Sequence, residues 1–181
     1  MELKGERTLP VDRATAWKEL NDVESLKAAV PGCETLVAVG DGEYEVAVNA
    51  AIGPVKALFK GKMKISDAVP PESYAISFDL HGGLSGFARG QANVALHEAG
   101  PRETRMVYAV KSTIGGKIAM VGSRLVDAAA ATMSERFFTV FAAQLAGKYP
   151  PPPGSPAAVA VEVPGFFATL WAFLKRLFGK A

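Results

Sequence analysis

The chain has very few of the side chains that usually carry metal or nucleophilic chemistry. Its 181 residues include one cysteine, Cys33, and two histidines, His81 and His97. A single cysteine excludes an internal disulfide and a thiolate zinc site, and two histidines far apart in sequence do not make a metal site. The sequence indicates no carboxylate partner near either histidine, and Cys33 follows a helix-ending Pro-Gly pair, where we expect a small buried residue. We therefore expect no catalytic residue and no bound metal.

The body of the chain also lacks an excess of charge of either sign. Residues 1–147 contain 16 Lys and Arg against 17 Asp and Glu, whereas residues 148–181 contain four Lys and Arg against Glu162 alone. This balance argues against a nucleic-acid partner and leaves only the tail basic. The first ten residues lack the apolar core of a secretion signal, so we expect a cytoplasmic location. The Gly-rich stretch at 81–90 lacks the lysine and the strand-to-helix setting of a phosphate-binding loop.

Turn signals divide the first 110 residues into short runs of alternating apolar residues. Asp41-Gly42 is a two-residue hairpin signal, and Gly and Pro pairs separate the runs that follow. The segment at 10–32 predicts two short helices, with Asp12 and either Asn21 or Asp22 as N-caps. The runs predict strands at about 2–9, 33–40, 43–52, 55–68, 73–80, 86–98 and 103–113.

The pattern changes after Gly115-Gly116, where an alanine-rich stretch without proline begins. This stretch predicts one long helix over about 117–147. The element order therefore predicts an α+β fold. We expect a curved seven-stranded antiparallel sheet with two short helices, and one long C-terminal helix over its concave face.

Strand alternation predicts which side chains face the long helix, and 3.6-residue spacing gives the matching side of the helix. Apart from Arg7, the inward strand positions carry no charge, and tyrosines are their only other polar groups. These two sets predict an elongated apolar pocket, which suits binding better than acid–base catalysis. The predicted ligand-binding residues are Phe59, Tyr74, Phe78, Ala88, Gly90, Ala92, Met106, Tyr108, Ile118, Val121, Leu125, Ala129 and Thr132.

Two patterns leave alternatives open. Three small inward residues on one strand, Ala88, Gly90 and Ala92, either allow close helix packing or leave room for a ligand. Four lysines share one outer face of a long strand, which is either a solvated surface that discourages edge pairing or a docking patch for an acidic partner or a membrane. These lysines are Lys56, Lys60, Lys62 and Lys64.

Several stretches resemble the G-subunit family of carbon monoxide dehydrogenase, a branch of the START-like helix-grip superfamily. The most specific pieces are VPGCE at 30–34 and Gly115-Gly116-Lys117, where the predicted long helix begins. Together the similar stretches cover most of residues 1–147. They are LPVDRATAWKELNDVESLKAAVPGCE at 9–34, GPVKALFKGKMKI at 53–65, GFARGQANVAL at 86–96 and STIGGKIAMVGSRLV at 112–126.

The resemblance implies an accessory protein, not an enzyme, whose partner is a molybdenum carbon monoxide dehydrogenase or a related hydroxylase. It also implies a cavity for a lipophilic molecule and a place on the cytoplasmic side of the cell membrane. Because such a dehydrogenase passes electrons to a respiratory quinone, a quinone is the expected non-covalent ligand. Two alternatives stay open: a recruitment or maturation factor without a ligand, and an enzyme that resembles polyketide cyclases.

The C-terminal residues predict a membrane contact. The expected division is a ligand-binding domain at 1–148, a Pro-rich linker at 149–164 and an amphipathic helix at 165–181. The apolar stretch is too short for the roughly 20 residues that span a bilayer, and its large apolar residues fall in one arc opposite basic residues. The alternative is a helix that docks in a protein groove. The predicted membrane-binding residues are Phe166, Phe167, Leu170, Trp171, Phe173, Leu174, Lys175, Arg176, Leu177, Phe178 and Lys180.

Overall fold

A computed structural model describes residues 1–152 of the chain. Its seven strands lie close to the predicted ranges, and two short helices separate the first two of them. The helices are α1 (Arg13–Leu20), α2 (Val23–Ala29), α3 (Lys117–Met120) and α4 (Ser123–Lys148). The strands are β1 (Glu2–Leu9), β2 (Cys33–Gly40), β3 (Glu43–Ile52), β4 (Val55–Val69), β5 (Ser73–His81), β6 (Phe87–Gly100) and β7 (Glu103–Gly115).

All seven strands form one antiparallel sheet in the order β1-β7-β6-β5-β4-β3-β2. Each strand from β2 to β7 pairs with its neighbour in sequence, and β1 closes the far edge against β7. Inward residues therefore lie side by side across the sheet, as Phe78 does with Met63 and Gly90. The predicted fold class, with helices over one face of an open antiparallel sheet, is confirmed.

Side-chain caps fix the start of both short helices. Asp12 accepts a hydrogen bond from the backbone N–H of Thr15 at 3.0 Å, and Asp22 accepts one from Ser25 at 2.8 Å. These bonds satisfy amide groups that a first helical turn leaves without partners. Asp22, rather than Asn21, is thus the cap of α2.

The prediction of one unbroken helix over 117–147 is wrong. A four-residue helix, α3, ends before Val121, and α4 begins after Gly122. Gly122 has a φ of 96° and a ψ of 145°, a conformation that side-chain-bearing residues rarely adopt. The glycine therefore interrupts the helical hydrogen bonds and redirects the chain onto the sheet.

The C-terminal half of α4 supplies the deepest part of the core. Phe141 and Leu145 are fully buried, and Phe138 stacks on the ring of Tyr108 with 5.2 Å between centroids. They pack with Leu9 from β1 and with further buried side chains of α1, β6 and β7. This half of the helix closes tightly on the sheet.

A buried carboxylate links the C-terminal end of α4 to the short helices α1 and α2. Glu19 of α1 accepts hydrogen bonds from Lys148 Nζ and Tyr149 Oη, each at 2.7 Å, and another from the Ser25 hydroxyl. Burial alone would raise the pKa of Glu19, but the bonds from Lys148, Ser25 and Tyr149 outweigh it and lower the pKa from 4.5 to about 2. The end of α4 is thereby tied to α1 and α2.

We predict that Glu19→Gln lowers stability and removes part of its acid dependence. Because the folded-state pKa lies below the ordinary value of 4.5, the Glu19 contribution is complete above that pH and is lost as pH falls toward 2. The substitution should cost about 1–3 kcal/mol of unfolding free energy at pH 7. It should also flatten the fall in stability below pH 4.5, as measured by urea denaturation at several pH values.

Glu24→Gln is the matched control, since Glu24 is exposed on the neighbouring helix. Its unfolding free energy should stay within about 0.5 kcal/mol of wild type. Equal losses for the two variants at pH 7 would show that the Glu19 network does not hold the helices together.

Candidate ligand-binding cavity

An apolar cavity of about 480 Å³ lies between the inner face of the sheet and α4. Strands β3 to β7 contribute most of its wall, and β2, the three short helices α1 to α3 and α4 complete it. Every lining side chain is apolar except Cys33 and Tyr74. The volume is within the roughly 300–1,000 Å³ range of ligand pockets.

The composition of α4 explains why the space stays open. Its first half contains four successive alanines, residues 128–131, and Ala129 and Ala130 line the cavity. Its second half carries the phenylalanines that fill the core, and only Phe137 of these reaches the cavity wall. Small side chains in the first half cannot reach across to the sheet, so a void remains beneath them.

Eight of the thirteen predicted ligand-binding residues line this cavity. The structure brings together six from the sheet and two from the helical layer, as strand alternation and helical spacing indicate. They are Phe59, Tyr74, Phe78, Ala88, Ala92, Met106, Ile118 and Ala129.

Two predicted sheet residues lie outside the cavity wall. The ring of Phe78, on the neighbouring strand, lies against Gly90, which is not part of the cavity wall. Tyr108 is stacked on Phe138, and its hydroxyl lies 3.0 Å from Ser134 Oγ, within the core. Of the three small residues on β6, Ala88 and Ala92 border the cavity, whereas Gly90 between them packs against Phe78 of the neighbouring strand and not against a helix.

Three predicted helix residues also lie outside the wall, and the break at Gly122 is the cause. Val121 belongs to the interruption, Leu125 is 48% exposed, and Thr132 is exposed with its hydroxyl bonded to the Ala128 carbonyl. Because of the break, the side of α4 that faces the cavity is shifted by one residue along the sequence. Val126 and Met133 line the cavity in place of Leu125 and Thr132.

Sequence patterns did not predict the contribution of α1, α2 and the strand that follows them. Leu20, Leu26, Val30, Cys33 and Leu36 all line the cavity. The apolar spacing in SLKAAVPG signals a buried helix face, but the sequence does not specify where the helix pair crosses the sheet.

Tyr74 is the one strong hydrogen-bond donor in the wall. It is only 5% exposed, and its ring meets Trp17 edge to face at 5.4 Å between centroids. The hydroxyls of Tyr108 and Tyr149 have partners, whereas no hydrogen bond joins that of Tyr74 to another residue in the described range 1–152. Burial raises the pKa of Tyr74, so the phenol stays protonated and able to donate.

Cys33 is a weaker polar group on the opposite side of the wall. It is half-buried, and burial raises the pKa of its thiol. A thiol in this state is a poor nucleophile, because the thiolate is the reactive form. The side chain therefore behaves as a small lining residue.

The expectation that His81 lacks a carboxylate partner is wrong. Its Nε2 lies 2.9 Å from an oxygen of Asp79, which also pairs with Arg89. Residues two apart on a strand share a face, so Asp79 and His81 project together from the outer side of the sheet. All three side chains are about half exposed, remote from the cavity wall.

Residues 1–152 hold no helix long and apolar enough to cross a membrane. In that range no three His, Cys, Asp or Glu side chains are grouped as metal ligands would be. The predicted tail helix at 165–181, and the predicted linker beyond Pro152, lie outside the described residues.

Solved structures similar to this chain share its fold. A conserved protein from Geobacillus kaustophilus is 24% identical with a TM-score of 0.77, covering 82% of this chain and 97% of its own. A START superfamily protein from Mycobacterium smegmatis is 12% identical with a TM-score of 0.63, at 81% and 98% coverage. The Zhui aromatase/cyclase from Streptomyces sp. R1128 is 10% identical with a TM-score of 0.60, at 80% and 93% coverage.

No curated protein matches the chain. At these identities the structural similarities establish a START-like fold and leave the activity open. The sequence itself matches one family, that of the carbon monoxide dehydrogenase G subunit (CoxG), over residues 5–146. That match covers more than three quarters of the 181 residues and includes nearly all of the seven strands and of α4. The chain belongs to the CoxG family of carbon monoxide dehydrogenase subunits.

Proposed function

We propose that this protein is a non-catalytic carrier that binds a respiratory quinone in its cavity. In this role it links a molybdenum carbon monoxide dehydrogenase, or a related hydroxylase, to the electron-transport chain of the membrane. The family name supports the choice of partner enzyme. The cavity supports the choice of ligand class, and the sequence of the tail supports the membrane location.

The observation that carries the proposal is an apolar cavity with a single unpartnered phenol, among the described residues, in its wall. A quinone combines an apolar ring and an isoprenoid chain with carbonyl oxygens that accept hydrogen bonds. The lining of leucine, isoleucine, valine and phenylalanine suits the apolar part, and the Tyr74 hydroxyl suits a carbonyl. A saturated lipid tail could not accept a hydrogen bond from that hydroxyl, whereas a quinone carbonyl could.

The same wall argues for binding rather than catalysis. No charged side chain of residues 1–152 lines the cavity, and its two ionisable groups, Tyr74 and Cys33, both have raised pKa values because burial disfavours their charged forms. General acid–base catalysis near neutral pH needs a group that titrates there. Neither side chain meets that requirement.

The tail sequence supports a membrane tether. Large apolar residues occupy one arc of a helical projection of 165–181, and Lys175, Arg176 and Lys180 lie on the other side. Basic residues beside an apolar face are attracted to anionic lipids. We propose that this segment holds the carrier at the cytoplasmic side of the membrane, where quinones reside.

We predict that Ala92→Phe abolishes quinone binding without unfolding the protein. Ala92 lines the cavity between Ile76 and Val110, so a phenyl ring would occupy the space that the ligand needs. In a filled core the same change would cost about 1–3 kcal/mol. Here the thermal unfolding midpoint should fall little, while quenching of Trp17 fluorescence by decylubiquinone, measured in a Trp171→Phe background, should disappear.

Ala75→Phe is the matched control, because Ala75 is on the outer face of the neighbouring strand. It should leave quenching by decylubiquinone intact. A strongly destabilised Ala92→Phe variant, together with wild type that is not quenched, would contradict the carrier proposal. A recruitment factor without a ligand would then be the better account.

We predict that Tyr74→Phe weakens quinone binding selectively. The change removes one oxygen atom and one hydrogen bond to a carbonyl, which should raise the decylubiquinone Kd about five-fold. Binding of an alkane of similar length should not weaken, because an alkane accepts no hydrogen bond. Equal effects on the two ligands in parallel titrations would show that Tyr74 does not contact a carbonyl.

A further inference from the structure

The two ends of the sheet carry opposite charge. Antiparallel pairing places the β3–β4 turn, the β5–β6 loop and the end of β7 together at one end. The segments there, 51–57, 81–89 and 114–125, contain four Lys and Arg and no Asp or Glu. The opposite segments, at 39–45, 66–73 and 97–104, contain seven Asp and Glu and one Arg. We call these the basic end and the acidic end.

The most exposed large apolar side chains of the described residues are at the basic end. Leu84 is 87% exposed in the short helical turn Gly83–Ser85, and Met120 is 85% exposed in α3. This turn packs beside α3, because Gly86 lies against Gly115 and Gly116. Two neighbouring loops thus present apolar tips outward rather than into the core.

Three of the four cations at this end are available to a partner, and the fourth, Arg89, pairs with Asp79. Lys56, Lys117 and Arg124 are exposed, and within residues 1–152 none of them forms an ion pair. By contrast, Glu43, Glu72 and Glu98 toward the acidic end are neutralised by Lys64 or Arg13. Exposed apolar tips among unpaired cations match the interface of an anionic lipid bilayer.

The cavity is less covered toward the basic end. On the sheet side of the cavity, the β5 to β7 wall residues nearest the basic end, Leu80, Ala88 and Ile114, are only half-buried. Those nearest the acidic end, Tyr74, Val94 and Met106, are buried, and on the helical side Ile118 is buried as well. Helix α1 covers the acidic end, where Trp17 packs on Tyr74. A surface that met the basic end would therefore lie beside the more accessible part of the cavity.

We propose that the basic end is a lipid-docking face, distinct from the tail, that sets the cavity against an anionic bilayer. Leu84 and Met120 insert among the headgroups, while Lys56, Lys117 and Arg124 contact lipid phosphates. Docking in this orientation lets an apolar molecule pass between bilayer and cavity with little exposure to water. The face requires only an anionic lipid surface and does not depend on which molecule the cavity holds.

The test uses a fluorescent reporter at each end of the full-length chain. In a Cys33→Ala background, an NBD dye is attached at Met120→Cys or at Val39→Cys, which is an exposed apolar position near the acidic end. Vesicles are made of phosphatidylglycerol and phosphatidylcholine, or of phosphatidylcholine alone, without added quinone. The dye at position 120 should brighten and shift to the blue on anionic vesicles only, and the dye at position 39 should not.

Charge variants give a second measurement. Lys117→Gln with Arg124→Gln should raise the concentration of anionic vesicles needed for half-maximal response about 30-fold, the effect expected for two charges near such a surface. Lys60→Gln with Lys62→Gln removes two cations from the middle of the outer face of the sheet. This pair of changes should alter the half-maximal vesicle concentration little. Changing Lys175, Arg176 and Lys180 to Gln tests the tail tether separately.

The proposal is overturned if the dye at position 120 does not respond to anionic vesicles, or if the dye at position 39 responds equally. It is also overturned if the Lys117 and Arg124 changes weaken binding no more than the Lys60 and Lys62 changes. An acidic protein surface would then be the better partner for this end. Because no quinone is added, these outcomes do not depend on whether the cavity binds one.

Discussion

The inner face of a seven-stranded sheet is wider than a single helix can cover, and the arrangement of this protein follows from that mismatch. The two halves of helix α4 cover the sheet to different extents. Its phenylalanine-rich half closes on the sheet to form the core, whereas its alanine-rich half leaves a cavity of about 480 Å³. The Glu19 network ties the end of α4 to α1 and α2. The phenylalanine-rich half is therefore held against the sheet, while the alanine-rich half spans the cavity. Core and cavity are thus two parts of one interface.

The polarity of the cavity lining determines which kind of molecule would fit the cavity. No charged side chain of residues 1–152 lines the cavity, because strand alternation directs every second residue of β3 to β7 inward and those residues are apolar apart from tyrosine. Tyr74 is the exception that matters, since it retains an unpaired donor among the described residues in an otherwise apolar wall. In our proposal, the basic end is the surface through which an apolar ligand reaches the lipid phase. These features support one account, in which a membrane-resident molecule with a carbonyl group is held and moved.

Strand positions were predictable because hairpin signals and a two-residue period fix both the register and the face of each residue. Phe59, Phe78, Ala88 and Ala92 were therefore placed correctly. The helix was less predictable, since Gly122 reads as a tolerated glycine in a helical pattern and only the structure shows that it interrupts the helix. That break moved the inward face from Leu125 to Val126. The roles of Gly90 and Tyr108 depend on which neighbour fills each gap, and no local pattern records such packing. The tail predictions at 165–181 concern residues beyond those described.

The central claim is that the cavity holds a quinone, and the most direct test is to identify what the purified protein carries. Full-length protein would be isolated without detergent from a cell that makes quinones. It would then be examined by native mass spectrometry, and its organic extract by liquid chromatography and mass spectrometry. The account predicts a bound species at about one molecule per chain whose mass and ultraviolet spectrum are those of an isoprenoid quinone. An unliganded protein mass, or an extract that contains only phospholipid, would contradict it.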